Sequence, residues 1–138
     1  MKKVVRPSDL ETQVLSVLWK KGPMSVRDVM AALPDGKKRA YTTVLTVLQV
    51  MEKKGLLDHK QDGLAHIYFP KVKQREVLRP MMRDLLQNVF GGQASMAVQH
   101  LLAEANVDAE ELEQLRKLIQ QYDTNSNMNT NTNAKGGQ

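Results

Sequence analysis

Thr42, Thr46, Gln49 and Lys53 recur at intervals of four, three and four. At about 100° per residue they fall on one side of a helix, and Val44, Val47, Leu48 and Met51 fall on the other. The polar side carries one charge, Lys53. A helix face kept only for solubility usually carries more. Gln49 has the amide geometry that reads an adenine edge, and a threonine can hydrogen-bond a base or touch a thymine methyl. Just before this helix, Lys37, Lys38 and Arg39 follow Asp35-Gly36. Three cations at a helix start join the backbone N–H groups that already attract phosphate there. The chemistry favoured is recognition of a nucleic acid. Leu45, on the flank of the polar face, either packs on a neighbouring element or touches a thymine methyl.

Other candidate chemistry is sparse. The three histidines stand at 59, 66 and 100, and there is no cysteine. Disulfides, thiol catalysis and cysteine-ligated metals are therefore excluded. If Asp62-Gly63 is a two-residue turn, His59 and His66 face each other across a hairpin, with Cβ atoms about 5 Å apart. Two imidazoles fall short of the three or four ligands zinc takes, so no metal and no other cofactor is expected. His100 falls in an apolar helical pattern and reads as packed or partly exposed rather than catalytic. Glu104, Asp108, Glu110, Glu111 and Glu113 gather around a helix start, where acids serve the dipole and capping. No base–nucleophile pair and no glycine-rich phosphate loop stands out, so an enzyme is not expected.

The elements that must hold these residues can be read in order. Ser8-Asp9-Leu10-Glu11 is a capping box opening a helix over 9–21, with Leu10, Val14, Val17 and Leu18 inside. Trp19 reads as core. Ser25 caps a short second helix that Pro34 ends. The third helix runs from 41 to 54, closed by Gly55. Leu56 to Lys60 and Leu64 to Phe69 read as strands of a hairpin turning at Asp62-Gly63. Beyond Lys73, Leu78, Met82, Leu85 and Val89 form an apolar stripe up to Gly91-Gly92. Pro80 within it should kink the helix or push its start toward Leu78. A fifth helix spans 93–105, and Asp108 caps a sixth whose Leu112, Leu115, Ile119 and Tyr122 form a short heptad-like seam. Residues 123–138, rich in Asn, Thr and Gly, should be disordered.

The chain has 138 residues and a net charge of +5. The charge is uneven: residues 1–72 carry 13 basic and 7 acidic side chains, net +6, and residues 73–138 carry 7 and 8, net −1. A basic front half favours a polyanion. No stretch is apolar for long enough to span a membrane, and no export signal opens the chain, so a cytoplasmic protein without membrane insertion is expected.

Three helices followed by a hairpin is the order of a winged helix-turn-helix. The fold expected is mainly α: a winged-helix DNA-binding domain over 1–72, a helical dimerisation region over 73–122, and the disordered tail. Candidate DNA contacts are Lys37, Lys38, Arg39, Thr42, Thr46, Gln49, Lys53 and, on the wing, Lys60. The candidate dimer residues are Leu85, Val89, Leu101, Leu112, Leu115 and Ile119. A winged helix can also dock a protein through the Leu45 and Val50 flank without specific DNA binding, and that alternative stays open.

Ser8-Asp9-Leu10-Glu11 leading to Val17-Leu18-Trp19, then Ala40-Tyr41-Thr42-Thr43-Val44, Thr46-Val47-Leu48, Lys53-Lys54-Gly55-Leu56 and Gly63 through Tyr68-Phe69-Pro70 resemble the penicillinase-repressor family, the BlaI/MecI/CopY type. The resemblance covers residues 6–122. It implies a bacterial, homodimeric repressor of transcription that seats each winged helix on half of a double-stranded operator dyad. It adds Thr43 to the DNA contacts, beside Thr42 and Thr46. It also implies a trigger for release, a membrane sensor or a protease. Departures from the family pattern fall at Leu45, at Val50 and at the wing sequence Gly63-Leu64. The copper-responsive branch ends in Cys-x-Cys pairs, which this chain lacks. The β-lactam-responsive branch is cut at an Asn-Phe bond, and Gln99-His100 stands there.

Overall fold

A computed structural model describes residues 6–136, with side chains through residue 127. Lys2 and Lys3 of the basic front half, and the end of the tail placed at 123–138, lie outside the described residues. The order is α1 (Asp9–Lys21), β1 (Met24–Ser25), α2 (Val26–Ala32), α3 (Tyr41–Lys53), β2 (Leu57–Asp62), β3 (Ala65–Pro70), α4 (Gln74–Phe90), α5 (Ala94–Glu104) and α6 (Ala109–Gly136). It is the mainly helical winged helix-turn-helix that the sequence predicts. By compactness the chain divides after Gly91.

The front unit is fixed by local signals first. Ser8 Oγ accepts the Glu11 N–H at 3.2 Å, and Glu11 Oε1 accepts the Ser8 N–H at 2.9 Å, so the capping box is formed. Ser25 Oγ accepts the Asp28 N–H at 3.2 Å and opens α2. The apolar faces then converge. Val14, Leu15 and Leu18 of α1, Val26 and Val29 of α2, and Val44, Leu48 and Met51 of α3 enclose one core with Leu56, Leu57 and Tyr68. Trp19 packs against this core, and its indole N–H donates to the Val72 carbonyl at 3.0 Å.

Glu11 is the one charged residue buried there among the described residues, at 4% exposure. Lys54 Nζ donates to both its oxygens, at 3.0 and 2.9 Å, tying the start of α1 to the end of α3. Burial pushes the Glu11 carboxyl up, but hydrogen bonds from Ser8 and the Lys54 ammonium outweigh it and hold it below the ordinary value.

The wing differs from expectation in register. Asp62 pairs with Ala65, so the two turn residues are Gly63 and Leu64. Gly63 takes φ +63° and no other residue type in the chain has positive φ among the described residues. A glycine first and an ordinary residue second is the pattern of a type II′ hairpin turn, whose twist suits the strands. The shift puts His59 opposite Tyr68 and His66 opposite Gln61, which corrects the direct His59–His66 pairing. The two histidines become diagonal neighbours on one face. The sheet also has a third strand that two residues could not announce: β1 adds to β3, with Met24 opposite Tyr68 and Ser25 opposite Ile67.

Helix α4 starts at Gln74, not near Leu78, and runs through Pro80. Val77, buried in the front core, anchors the turn that Pro80 would otherwise release. Gly91 ends the helix in the left-handed conformation, φ +56°. In the second unit Asp108 Oδ1 accepts the Glu111 N–H at 2.8 Å and caps α6. That helix continues to Gly136, past the point where composition predicts disorder. At its midpoint Thr124 Oγ1 bonds back to the Gln120 carbonyl at 3.0 Å, a local bond that stands in for packing. From residue 92 to 127 no residue is buried.

Candidate nucleic-acid interface

Helix α3 is held to the core by Val44, Leu48 and Met51, so its opposite side must face outward. Thr42, Thr43, Thr46, Gln49 and Lys53 are all exposed. The Thr46 hydroxyl donates to the Thr42 carbonyl at 2.8 Å. Its proton is spent on the helix, and what it offers outward is an acceptor lone pair and a methyl group. Leu45 is half-buried and packs against the core, as the first of its two readings has it. Of the apolar flank that could dock a protein, Val50 is exposed and Leu45 half-buried.

The N-terminus of α3 is open. Ala40 stands at the cap, no side chain accepts there, and the first turn holds no acid. The peptide dipoles therefore present positive charge. Lys37 and Lys38 are exposed beside it. Arg39 is different. It forms a two-bond fork with Asp35, Nη1 to Oδ1 at 3.0 Å and Nη2 to Oδ2 at 2.6 Å. Those bonds, with the Lys37 N–H, hold the Asp35 carboxyl far below the usual carboxylate range. Asp35 raises Arg39 in turn. The charge that Arg39 lends the loop in a sequence count is thus answered within four residues, and its planar face is already oriented.

Two further residues join this end that no local pattern marks. Arg27 of α2 lies over the Tyr41 ring at 5.5 Å, a cation held against an exposed aromatic. Arg27, Lys37, Lys38, Arg39 and Tyr41 line one open hollow at the start of α3. The signal that could have found Arg27 is its position on the outer side of the second helix, opposite Val26 and Val29. On the wing, Lys60 is exposed with its ammonium 5.8 Å from the Phe69 ring, so its stem lies along the strand pair. Leu64, at the turn, is fully exposed.

The apolar residues expected to meet a second chain also have definite surroundings. Leu85 and Val89 on α4, Leu101 on α5 and Leu112 and Ile119 on α6 are exposed, and Leu115 is half-buried. No helix of the described residues is long and apolar enough to cross a membrane.

Residues 7–121 match the sequence pattern of the penicillinase repressor family. A transcriptional regulator BlaI of Mycobacterium tuberculosis is 37% identical over 121 residues, 86% of each chain. The penicillinase repressor of Bacillus licheniformis is 25% identical over 122 residues, 88% of this chain and 95% of that one. Among solved structures, monomeric Bacillus licheniformis BlaI in complex with the blaP half-operator is 30% identical, covering 55% of this chain and 93% of that one, with a TM-score of 0.46.

Proposed function

The chain belongs to the penicillinase repressor family, and on that footing we propose that it represses transcription as a homodimer bound to a DNA dyad. The family is one of transcription regulators, not an enzyme class. One observation carries the reading to this chain's own residues: the exposed face of α3, with one charge on it, rising from an uncapped N-terminus beside Lys37 and Lys38. A helix of this form enters the major groove with its N-terminal residues toward the bases. Thr42, Thr43, Thr46 and Gln49 meet base edges, and Lys37, Lys38, Lys53 and Lys60 meet phosphates. Arg39 meets a phosphate only through the outward edge of its fork with Asp35.

The dimer reading is supported by the second unit, which buries nothing by itself. Fully burying one leucine or isoleucine is worth about 1.5–3 kcal/mol. Leu101, Leu112, Leu115 and Ile119 of that unit, with the exposed Leu85 and Val89 late in α4, therefore have much to gain from a second copy of the chain. Repression is steric: two recognition helices occupy grooves about one helical turn apart, or a small multiple, over a promoter. Release follows from loss of the dimer, through a membrane sensor or a protease. The protein works in the cytoplasm.

Selection of bound sequences from a random duplex pool tests the reading. A palindrome bound in the nanomolar range is expected, with affinity falling steeply as salt rises. On that site Thr46→Ala is expected to cost about 1–3 kcal/mol of specific affinity, the worth of a good base contact. Unchanged specific and non-specific affinity in that variant would remove α3 from the recognition role.

A further inference from the structure

Where the wing joins the end of α3, a group of donor atoms stands that DNA recognition does not use. Glu52, in the last turn of α3, and Asp58 and His59, consecutive on β2, each place one ligand atom within 4.8 Å of the others. His59 Nδ1 meets Glu52 Oε1. Asp58 Oδ1 accepts the His59 backbone N–H at 2.8 Å, which fixes that carboxylate beside the ring and leaves its second oxygen for a ligand. His66 stacks on His59 with ring centroids 4.7 Å apart, so a second imidazole adjoins the group. Neither carboxylate is paired with a lysine or arginine among the described residues. The nearby lysines are committed elsewhere, Lys54 to Glu11 and Lys60 over Phe69. The Glu52 and His59 side chains are 33% and 31% exposed, partly desolvated yet open to solvent.

The geometry points to a binding site for a divalent transition ion of zinc's preferences, with Glu52, Asp58 and His59 as ligands and His66 as the fourth donor after a ring rotation. Imidazole with carboxylates suits zinc and its neighbours, whereas magnesium and calcium take oxygen alone. Zinc holds such ligands at about 2.0–2.2 Å, so donors now up to 4.8 Å apart close in by side-chain rotation, which half-exposed residues allow. The register of the hairpin matters here. It places His66 diagonal to His59 on one face of the hairpin, and not directly across. An ion in this place ties the recognition helix to the first strand of the wing and sets the angle between them. On the DNA-binding reading above, operator affinity then depends on the ion.

The test needs no DNA. Zinc chloride is titrated calorimetrically into the chelator-treated full chain. One ion per chain is expected, with a rise in Tm that magnesium does not reproduce. Glu52→Gln and His59→Ala are each expected to weaken binding at least tenfold, His66→Ala less, and His100→Ala, on α5, not at all. Circular dichroism of the near-isosteric Glu52→Gln variant separates loss of a ligand from loss of fold. No binding heat, or zinc bound as tightly by folded Glu52→Gln and His59→Ala as by the parent, overturns the site. Loss in His100→Ala alone overturns it as well.

Discussion

The two units of this chain bury their apolar residues in opposite ways. The front unit, through Gly91, contains every buried residue among the described residues, from Pro7 to Val77. The second unit contains none, although Leu101, Leu102, Leu112, Leu118 and Ile119 lie along its helices. Both are helical and both have capped helices, so secondary structure does not separate them. What separates them is whether the apolar faces find each other within the chain. The front unit closes a core of its own and keeps a polar working face, with Met82, Leu85 and Val89 left exposed on α4. The second leaves its apolar faces exposed.

Removing the second unit should give the largest effect. A chain ending at Gly91 is expected to stay folded, to sediment as a monomer, and to lose about 10²–10⁴-fold in affinity for a full dyad, since two linked half-sites then bind separately. A shortened chain that remains dimeric would reduce the interface to α4, with Leu85 and Val89, and end the contrast. Leu48→Ala comes next. It removes a fully buried side chain from α3 and should cost about 2–5 kcal/mol, read as a lower midpoint in urea, whereas Ile119→Ala in a diluted sample should cost far less. Equal losses would mean that the second unit has a core of its own.

A smaller effect separates residues within the front unit. Lys38→Ala should lower the slope of log affinity against log salt by about one, for one lost phosphate contact. Arg39→Ala should lower it by less, because Asp35 already answers that charge. The smallest effect concerns Glu11. Its carboxyl is held below the ordinary glutamate value when folded, so the stability it adds is present above that value and is lost as pH falls through the lowered folded one. A thermal melt of the front unit should therefore weaken below about pH 4.5, and Glu11→Gln should flatten that acid limb. An unchanged limb would assign it to other carboxylates.

Features governed by neighbours in sequence were legible before any coordinates. The Ser8 box, the Ser25 and Asp108 caps, the packed face of α3 and its exposed polar face all follow from spacing of three and four. Features decided between elements were not. Asp62-Gly63 and Gly63-Leu64 are both glycine-bearing turns, and only the pairing of strands chooses between them. Pro80 leaves the start of α4 open between Lys73 and Leu78, and Val77, packed in the core, marks the earlier start. At the working face, the exposure of Thr42, Thr43, Thr46 and Gln49 could be read from periodicity, but the Arg39–Asp35 fork, the Arg27–Tyr41 contact and the Glu52–His59 pair could not. The first is a local contest between charges, and the others join helices or strands that the pattern treats separately.

Trp19 is the only tryptophan in the chain, and its indole N–H holds the Val72 carbonyl where the wing ends and α4 is about to begin. Its emission is therefore a built-in optical reporter on one place. A red shift records water reaching the junction behind the wing. Events confined to α5 and α6 leave the spectrum unmoved, so the two units can be followed separately in one cuvette, by fluorescence for the first and light scattering for the second.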